Sequence, residues 1–432
     1  MTHRYERVID VRALARVEGE GAMHVRVRDG AVDDVRLEIY EPPRFFEAFL
    51  RGRQHTEPPD ITARICGICP VAYQMSACAA IEDACRVTVS PGVAALRRLI
   101  YCGEWIESHT LHIYLLHAPD FLGYGSALAL AKDRRDLVER GLALKQAGND
   151  LIELIGGRAI HPINVRVGGF YRVPAPRELA PLRERLRAAL DQALDTVRWV
   201  AGFDFPEFHH DHEMLALCTP GTYPIETGFV TTTGGLSFDV AQFEQHIIEE
   251  QVPHSTALHA HLAGRGRYLT GPAARYTLNR HWLTPLAREA AAAAGLGEEC
   301  RNPYRSIVVR AVETVYAVEE AIRLIDAYEP PPSPAVPVPA RAGTGRGATE
   351  APRGTLFHRY DLDPDGRITA ARIVPPTSQN QAAIEDDLAR FVAGRLDLDD
   401  ERLTTQCEQA IRNYDPCISC ATHFLDLHVE RS

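Results

Sequence analysis

Two pairs of cysteines, one near each end of the chain, are the residues best suited to chemistry. Cys66 and Cys69 stand in the string RICGICP, and Cys417 and Cys420 stand in the string DPCISCATH. Within each pair the spacing puts two sulfur atoms on one side of a helical turn, within reach of a single ion. The four thiolates therefore predict one metal site, provided that the fold brings the two ends of the chain together.

The cysteines alone leave the identity of the metal open. Sites built from four thiolates most often hold zinc or an iron–sulfur cluster. Zinc ribbons usually keep their two CxxC pairs close in sequence, whereas here most of the chain separates them. On spacing alone, structural zinc and another metal are equally good hypotheses.

The composition is that of a globular protein: 432 residues, of which 45% are hydrophobic and 24% are charged. The formal net charge of −11 argues against a nucleic-acid-binding surface. We find no apolar run of about 18 residues that would predict a membrane span. The first residues lack the apolar core of a signal peptide, so we expect reduced cysteine ligands in a cytoplasmic protein.

The hydrophobic patterns predict a mainly helical protein with small β regions, an α+β fold whose central bundle of long helices holds the buried metal site. Leucines recur every third or fourth residue over 178–200, which indicates an amphipathic helix. Asp29-Gly30 and Asp365-Gly366 are turn signals between short strands. The other segments expected to be largely helical are 91–119, 120–155, 252–296, 304–328 and 381–396.

We expect residues 1–432 to form a single domain made of successive regions. Residues 329–339 are rich in proline and cannot form a regular helix or a central strand, and glycines follow over 343–347. We therefore predict that residues 329–347 form an irregular segment that crosses the surface of the protein, called the crossing below. The regions are an N-terminal β-rich part (1–62), the helical bundle (63–328), the crossing (329–347), a C-terminal active-site region (348–423) and a tail (424–432).

The strings RICGICP and DPCISCATH resemble the two nickel-binding signatures of the large subunit of nickel–iron hydrogenases. Arg-x-Cys-Gly-x-Cys near the start together with Asp-Pro-Cys-x-x-Cys-x-x-His at the end is a highly specific combination. Further similar segments spread over almost the entire chain: RVEG at 16–19, SHTLH at 108–112, HP at 161–162 with GG at 168–169, GPAAR at 271–275 and EAPRG at 350–354.

The resemblance implies that the four thiolates bind nickel, and that two of them also bridge to an iron that carries carbon monoxide and cyanide. By motif position, Cys66 and Cys417 are then terminal nickel ligands, and Cys69 and Cys420 bridge nickel and iron. Soft sulfur donors suit nickel that changes oxidation state while dihydrogen is split into a hydride and a proton. A terminal thiolate is then the natural first acceptor of the proton.

Three further residues match positions that act beside the metals in that family. Glu18, in RVEG, matches a proton-relay carboxylate next to a terminal cysteine. A buried carboxylate at that position can accept a proton from sulfur. Without the resemblance, Glu18 would be interpreted as a surface glutamate. Arg353, in EAPRG, matches an arginine that donates to a cyanide nitrogen. Thr377, in PPTSQN, matches a hydroxyl donor to the other cyanide.

The resemblance also implies a second site for a hard metal, usually magnesium. Its matching ligands are Glu47, the carbonyl of Ile373 and His423. A carboxylate and a carbonyl suit magnesium, and the ion would anchor the C-terminal segment close to the nickel. Without the resemblance, Glu47 would be an exposed helix carboxylate.

The chain departs from the family's pattern at two places. Many relatives carry a histidine four residues after the second cysteine, where it hydrogen-bonds a bridging sulfur, but here the position is Tyr73, whose phenol can also donate. The family's precursor is commonly cut after the histidine of the last motif, whereas residues 424–432 follow it here. This tail is either a retained extension or a segment that an endopeptidase removes during maturation.

Two groups of histidines look like metal ligands but are predicted to be structural. The string FHHDHE (208–213) points its histidines in different directions on a helix, so we expect a solvated polar face. His109, His112 and His117 are expected to line the core or a subunit contact.

The predicted function is the catalytic subunit of a hydrogenase, which interconverts dihydrogen with protons and electrons. The chain has no cysteine run for an iron–sulfur cluster of its own, and we expect no flavin in it, so electrons leave through a small subunit with iron–sulfur clusters. The string CPVAYQ at 69–74 and the ending CATH look most like the branch that pairs with flavin and iron–sulfur diaphorase subunits and uses NADP or NAD. A maturation chaperone is a further expected partner.

Other functions fit part of the pattern. A dihydrogen sensor would keep the metals and turn over slowly, and a deazaflavin- or heterodisulfide-reductase-linked hydrogenase would use another electron acceptor. A zinc-stabilised scaffold would hold zinc alone. The quinone-site subunit of respiratory complex I resembles the family but has lost the cysteines, so the presence of all four argues against it.

Overall fold

The structure is a computed structural model that describes residues 6–41 and 45–422. Its α-helices are α1 (Phe46–Leu50), α2 (Pro58–Thr62), α3 (Pro70–Cys85), α4 (Pro91–Leu111), α5 (Ala118–Phe121), α6 (Ala127–Asp133), α7 (Arg135–Gly156), α8 (Pro176–Ala201), α9 (Phe243–His246), α10 (Pro272–Asn279), α11 (Pro285–Ala293), α12 (Ser306–Asp326), α13 (Pro376–Ala393), α14 (Asp400–Arg412) and α15 (Ile418–Ala421). Its strands are β1 (Glu6–Val11), β2 (Gly21–Arg28), β3 (Ala31–Ile39), β4 (Val165–Arg166), β5 (Gly169–Phe170), β6 (Glu213–Cys218), β7 (Phe229–Thr232), β8 (Ser237–Phe238), β9 (Ile247–Gln251), β10 (Leu258–Leu262), β11 (Tyr268–Thr270), β12 (Gly343–Ala351), β13 (Gly354–Leu362) and β14 (Ile368–Val374).

Four long helices form the centre of the molecule, where α4 and α12 pack against each other and against α7 and α8. The first turn of α4 is set by Ser90, whose hydroxyl accepts the N–H of Val93, and by Pro91, whose ring suits the first helical position. Both α4 and α12 are buried over most of their length, including the charged residues Arg97, Glu104 and Glu107 of α4 and Arg310, Glu313 and Glu320 of α12. The structure thus confirms the predicted bundle of long helices.

Small, mostly antiparallel sheets lie around this bundle. One contains β1, β2 and β3 in that order, and another contains β12, β13 and β14. Arg28 pairs with Ala31 across a two-residue turn, in which Asp29 and Gly30 both have positive φ, as a tight hairpin turn requires. A third sheet has the order β11-β6-β7-β8, and β9 pairs with β10.

The prediction of helix over 252–296 is wrong for its first part. Strand β10 pairs with β9 there, and β11 pairs in parallel with β6. In the sequence LHAHL of β10, apolar and polar residues alternate, which is the period of a strand. Helices α10 and α11 occupy the rest of the segment.

The predicted crossing is shorter than 329–347, because β12 already begins at Gly343. Residues 329–342 contain no helix, in keeping with their prolines. The glycines serve close packing instead of a linker: a Cβ on Gly345 would collide with the carbonyl oxygen of Ala80 in α3. Strand β12 can therefore lie directly on the helix that follows the first cysteine pair.

Within 6–41 and 45–422, none of the helices combines the length and the apolar character that crossing a lipid bilayer requires.

We predict that Gly345→Ala destabilises the protein by about 1–3 kcal/mol, because backbone atoms of α3 must move to admit the methyl group. Chemical denaturation of the purified chain measures this change. Gly297→Ala is the matched control, since the nearest neighbouring atom would lie 4.0 Å from the new Cβ. Equal stability of the two variants would contradict the close packing of β12 on α3.

Candidate metal centre

The first cysteine pair lies at the beginning of α3. Cys69 immediately precedes the helix and Pro70 is its first residue. The free N–H groups of Val71 and Ala72 donate to the buried carboxylate of Glu104 in α4, at 2.6 and 3.0 Å. This carboxylate fixes the end of α3 against the central bundle and thereby positions the cysteines that precede it.

The second cysteine pair is held by the N-terminal segment. Glu18 forms a parallel β-bridge with Cys417, and the N–H of Ile418 donates to the Glu18 carbonyl at 2.9 Å. Gly19 has φ +89°, and a Cβ there would lie 2.8 Å from the amide nitrogen of Ser419. Only glycine fits this close approach, which explains the glycine of the RVEG segment.

The four cysteine sulfurs, all buried, lie within 4.8 Å of one another. The Sγ atoms of Cys66 and Cys417 are 3.5 Å apart, those of Cys69 and Cys420 are 3.8 Å apart, and those of Cys417 and Cys420 are 2.6 Å apart. Metal–sulfur bonds of about 2.3 Å in a tetrahedral site correspond to sulfur separations of about 3.8 Å. The separations of 3.5 and 3.8 Å therefore fit a metal held by four thiolates, whereas the 2.6 Å between Cys417 and Cys420 is shorter than such a site requires.

The electrostatics of the cluster favour a cation. Hydrogen bonds from the thiols of Cys417, Cys420 and Cys69 lower the pKa of Cys66 well below its ordinary value. Burial, in contrast, raises the pKa of Cys417, and it raises that of Cys420 to about 11. One thiolate is thus stabilised by its neighbours, and a bound metal ion would be needed to ionise the others.

Glu18 lies beside a terminal cysteine, as the sequence predicted. The Cys417 thiol donates to its Oε2 at 3.1 Å, and the N–H of Ser419 donates to the same oxygen at 3.0 Å. The side chain is half-buried. The Ser419 hydroxyl also donates to Oε1 of Glu41 at 3.0 Å, a second carboxylate that no sequence motif indicated.

Arg353 is buried above the C-terminal motif and is held by Asp415. Its Nε donates to the Asp415 carbonyl at 2.9 Å, its Nη2 lies 3.2 Å from Oδ1 of the same residue, and its Nη1 lies 3.4 Å from the Ser108 hydroxyl. Burial acts to lower the pKa of the guanidinium, but Asp415 and the cysteine thiols raise it above its ordinary value. Arg353 is therefore a fixed cation beside the sulfur cluster.

Asp415 and Ser108 are functional candidates that the sequence did not single out, although both lie in strings that resemble the hydrogenase family. Asp415 opens DPCISCATH and Ser108 opens SHTLH. Asp415 adopts a positive φ of 51°, an unfavourable conformation for a residue other than glycine, and one typical of functional sites. Both residues thus lie in recognisable motifs, but their role follows only from their contacts with Arg353 in the structure.

The turn that carries Arg353 is supported by a fully buried arginine from α10. Arg275 donates to the carboxylates of Glu313 and Glu350, and also to the carbonyls of Ala351 and Pro352. Every charge in this group is paired, as burial in a low-dielectric interior requires. The GPAAR and EAPRG segments are therefore two halves of one buried network.

Thr377 lies in the first turn of α13 beside the second cysteine pair. Its Oγ1 accepts the N–H of Cys417 at 3.0 Å. A hydroxyl that accepts one hydrogen bond still has its own O–H to donate. The residue can thus position Cys417 and donate a hydrogen bond at the same time.

Two of the three residues predicted for the second metal site lie together. Glu47 and Ile373 line one small cavity, which also touches Cys420, and the N–H of Ile373 donates to Oε1 of Glu47 at 2.8 Å. Glu47 is buried, unlike an ordinary helix carboxylate on the surface. A second acidic residue, Glu249, which sequence reasoning missed, lines the same cavity. The third predicted ligand, His423, lies outside the described residues.

Tyr73 is buried next to the sulfur cluster, and its hydroxyl has no hydrogen-bond partner in the described part of the chain. Its ring lies 5.7 Å from that of His358 on β13. Nδ1 of His358 lies 2.9 Å from the hydroxyl of Tyr360, and burial lowers the pKa of this histidine to about 3. A neutral histidine from another element therefore lies beside the tyrosine that replaces the usual histidine.

The histidines predicted to be structural lie in two regions. His109, His112 and His117 are buried in the core, which confirms that expectation. The expectation of a solvated face over 208–213 is wrong for His210, which is 2% exposed and whose pKa burial lowers to about 4, and for His212, whose largely buried side chain lies 3.1 Å from Oδ1 of Asp387. The string is part of an extended segment that packs against the body of the protein, so its side chains do not follow helical directions.

Comparisons with known proteins agree with this geometry. The profile of the family "Nickel-dependent hydrogenase" matches residues 44–141 and 300–423. The chain is 34% identical to the alpha chain of sulfhydrogenase 1 from Pyrococcus furiosus, over 97% of this chain and 98% of that one. It is 30% identical to a subunit of the F420-non-reducing hydrogenase from Methanothermobacter thermautotrophicus, over 96% and 94%.

Solved structures share the fold. The crystal structure of an NAD+-reducing [NiFe]-hydrogenase in its H2-reduced state superposes with a TM-score of 0.86 and 28% identity, over 96% of this chain and 99% of that one. The similarity thus extends over the entire fold and includes both cysteine pairs. This chain belongs to the nickel-dependent hydrogenase family, as a large subunit that carries the four-cysteine metal centre.

Proposed function

We propose that this hydrogenase subunit cleaves dihydrogen at a nickel–iron site and passes the electrons to a small iron–sulfur subunit, and from there to NADP or NAD through a flavin subunit in the cytoplasm. The observation that supports the proposal most directly is the meeting of four buried thiols from the two ends of the chain, with Glu18 beside Cys417. We further propose that residues 1–432 form one domain around this centre.

In this proposal, Cys66, Cys69, Cys417 and Cys420 would hold nickel, and Cys69 and Cys420 would also hold iron. When bound, nickel and iron would supply the polarisation and the electron acceptors for heterolytic cleavage of dihydrogen. Burial of the four cysteines excludes water from the reacting atoms. Arg353 and Thr377 would donate hydrogen bonds to the cyanide ligands of the iron.

The chain's own residues can move the released proton. A proton on Sγ of Cys417 lies within hydrogen-bond distance of Oε2 of Glu18, at 3.1 Å. The N–H of Ser419 holds that oxygen in place, and the Ser419 hydroxyl links to Glu41. Glu18 is therefore the proposed first proton acceptor after sulfur.

Glu47, Ile373 and His423 are the proposed ligands of a magnesium ion. Support comes from the position of Glu47 and Ile373, which line one small cavity beside Cys420. Oxygen ligands suit magnesium better than they suit a metal that prefers thiolate ligands.

The proposed acceptor is supported by similarity to the NAD+-reducing enzyme, whereas the similarity to an F420-non-reducing hydrogenase favours a second candidate with a different electron acceptor. The complex isolated through a tag on this chain should reduce NADP+ or NAD+ under dihydrogen. Rapid reduction of artificial dyes without reduction of either nucleotide would contradict the NAD(P) linkage and favour the second candidate. Slow turnover with every acceptor would favour a dihydrogen sensor.

Metal analysis tests the centre itself. We expect one nickel and one iron at the sulfur cluster of the purified protein, with infrared bands of bound carbon monoxide and cyanide. Cys66→Ser should lose the nickel, because the fourth sulfur ligand is then missing. Cys218→Ser, a change at a half-buried cysteine outside the cluster, should retain it. Protein that contains zinc alone and lacks the infrared bands would contradict the proposal.

Glu18→Gln should lower the rate of dihydrogen-dependent dye reduction by about 100- to 10,000-fold, the usual contribution of a positioned proton acceptor. Nickel content should stay unchanged, because the amide oxygen can still accept the N–H of Ser419. Glu20→Gln, at an exposed glutamate two residues further on, is the control. A wild-type rate in Glu18→Gln, measured together with dihydrogen–deuterium exchange, would exclude Glu18 as the proton acceptor.

A further inference from the structure

A second cluster of potential metal ligands lies outside the sulfur site. His254 lies between β9 and β10, His259 lies on β10, and Glu385 lies on α13; one ligand atom from each falls within 4.8 Å of the others. Nε2 of His254 is 2.8 Å from Oε1 of Glu385, and Nε2 of His259 is 3.7 Å from Oε2 of the same carboxylate. The carboxylate is thus placed between two imidazoles.

One of these imidazoles has an unused nitrogen. Nε2 of His259 has no hydrogen-bond partner among residues 6–41 and 45–422, although the residue is only 5% exposed. Its 3.7 Å separation from Glu385 is too long for a hydrogen bond. A buried polar atom without a partner costs about 1–3 kcal/mol, and an occupant between the two groups would remove this cost.

The carboxylate is also held in a fixed orientation. Oε1 of Glu385 accepts the N–H of Leu37 at 2.9 Å, in addition to its contact with His254. Such outer hydrogen bonds are typical of carboxylates that ligate metals. Burial lowers the pKa of His259, which keeps the imidazole neutral, and the neutral form is the one that binds a metal.

We propose that His254, His259 and Glu385 form a second site for a divalent cation of the zinc class. Two imidazoles and one carboxylate are a ligand set of zinc sites that leave a further position for water. The site contains no sulfur, which separates it chemically from the thiolate centre. It is also separate from the proposed magnesium site at Glu47.

The location gives the site a structural role next to the thiolate centre. The segment before β10 is bound to both ends of the chain: the N–H of Thr256 donates to the Ile39 carbonyl at 2.7 Å, and Ala257 forms a β-bridge with Thr422. Helix α13, which carries Glu385, also carries Thr377 beside Cys417. A cation there would fasten the β9–β10 hairpin to α13 and hold the C-terminal segment over the sulfur cluster.

The test uses the purified holoprotein, stripped of loosely bound metal and then equilibrated with Zn2+ alone. We expect one equivalent of zinc whose X-ray absorption spectrum shows nitrogen and oxygen ligands with imidazole scattering. Hydrogen exchange at residues 254–262 and 418–422 should slow when this zinc binds. Zinc at the thiolate centre would show sulfur ligands instead, so failure of this inference and failure of the hydrogenase centre give different spectra.

His259→Gln should lose the nitrogen-ligated equivalent, whereas His261→Gln, at the other histidine of β10, should keep it. Should His259→Gln fail to fold, His254→Gln tests the same site at a partly exposed position. Zinc bound only through sulfur, no zinc at all, or equal zinc in the His259 and His261 variants would each overturn the proposal. In those cases the cluster is a hydrogen-bonded group without a metal.

Discussion

The contact between the N-terminal segment and the second cysteine pair is the constraint on which the metal centre depends. Glu18 and Cys417 form an isolated parallel β-bridge, and Gly19 allows the backbones to approach. Because the first cysteine pair is fixed separately by α3 and Glu104, the four sulfurs meet only when the chain ends have been joined. A site formed in this way requires almost the whole chain to be folded before a metal can be held.

The surroundings of the centre are unusually rich in buried charge. Arg275 pairs with both Glu313 and Glu350 next to the turn of Arg353. Arg353 itself pairs with Asp415 beside the sulfurs. Paired buried charges contribute little to stability, yet removal of one partner leaves the other uncompensated. Their role here is to fix the orientation of two side chains: they hold the guanidinium of Arg353 and the carboxylate of Asp415 at defined positions beside the thiols.

The contacts of buried polar groups also distinguish the histidine clusters of the protein from one another. His210 and the core histidines are buried groups whose neutral form suits the interior. His259 differs from them because it, His254 and Glu385 place ligand atoms within 4.8 Å of one another. Such a convergence of three ligand atoms distinguishes a ligand set from ordinary packing, and it becomes visible only when distances are known.

The sequence by itself determined the ligand set and the long helices. CxxC spacing is a local property, and the repeats of leucine over α8 and the turn at Asp29-Gly30 are local as well, so α8, the β2–β3 hairpin and the four sulfur ligands were predictable. Strands β10 and β11 and the start of β12 were not, because short strands depend on partners that are distant in sequence. The contacts of Asp415 with Arg353, of Glu249 with the cavity at Glu47 and of His259 with Glu385 were likewise decided only by the tertiary structure. Each of them joins elements far apart in the chain, and no local pattern specifies which distant residues burial will bring together.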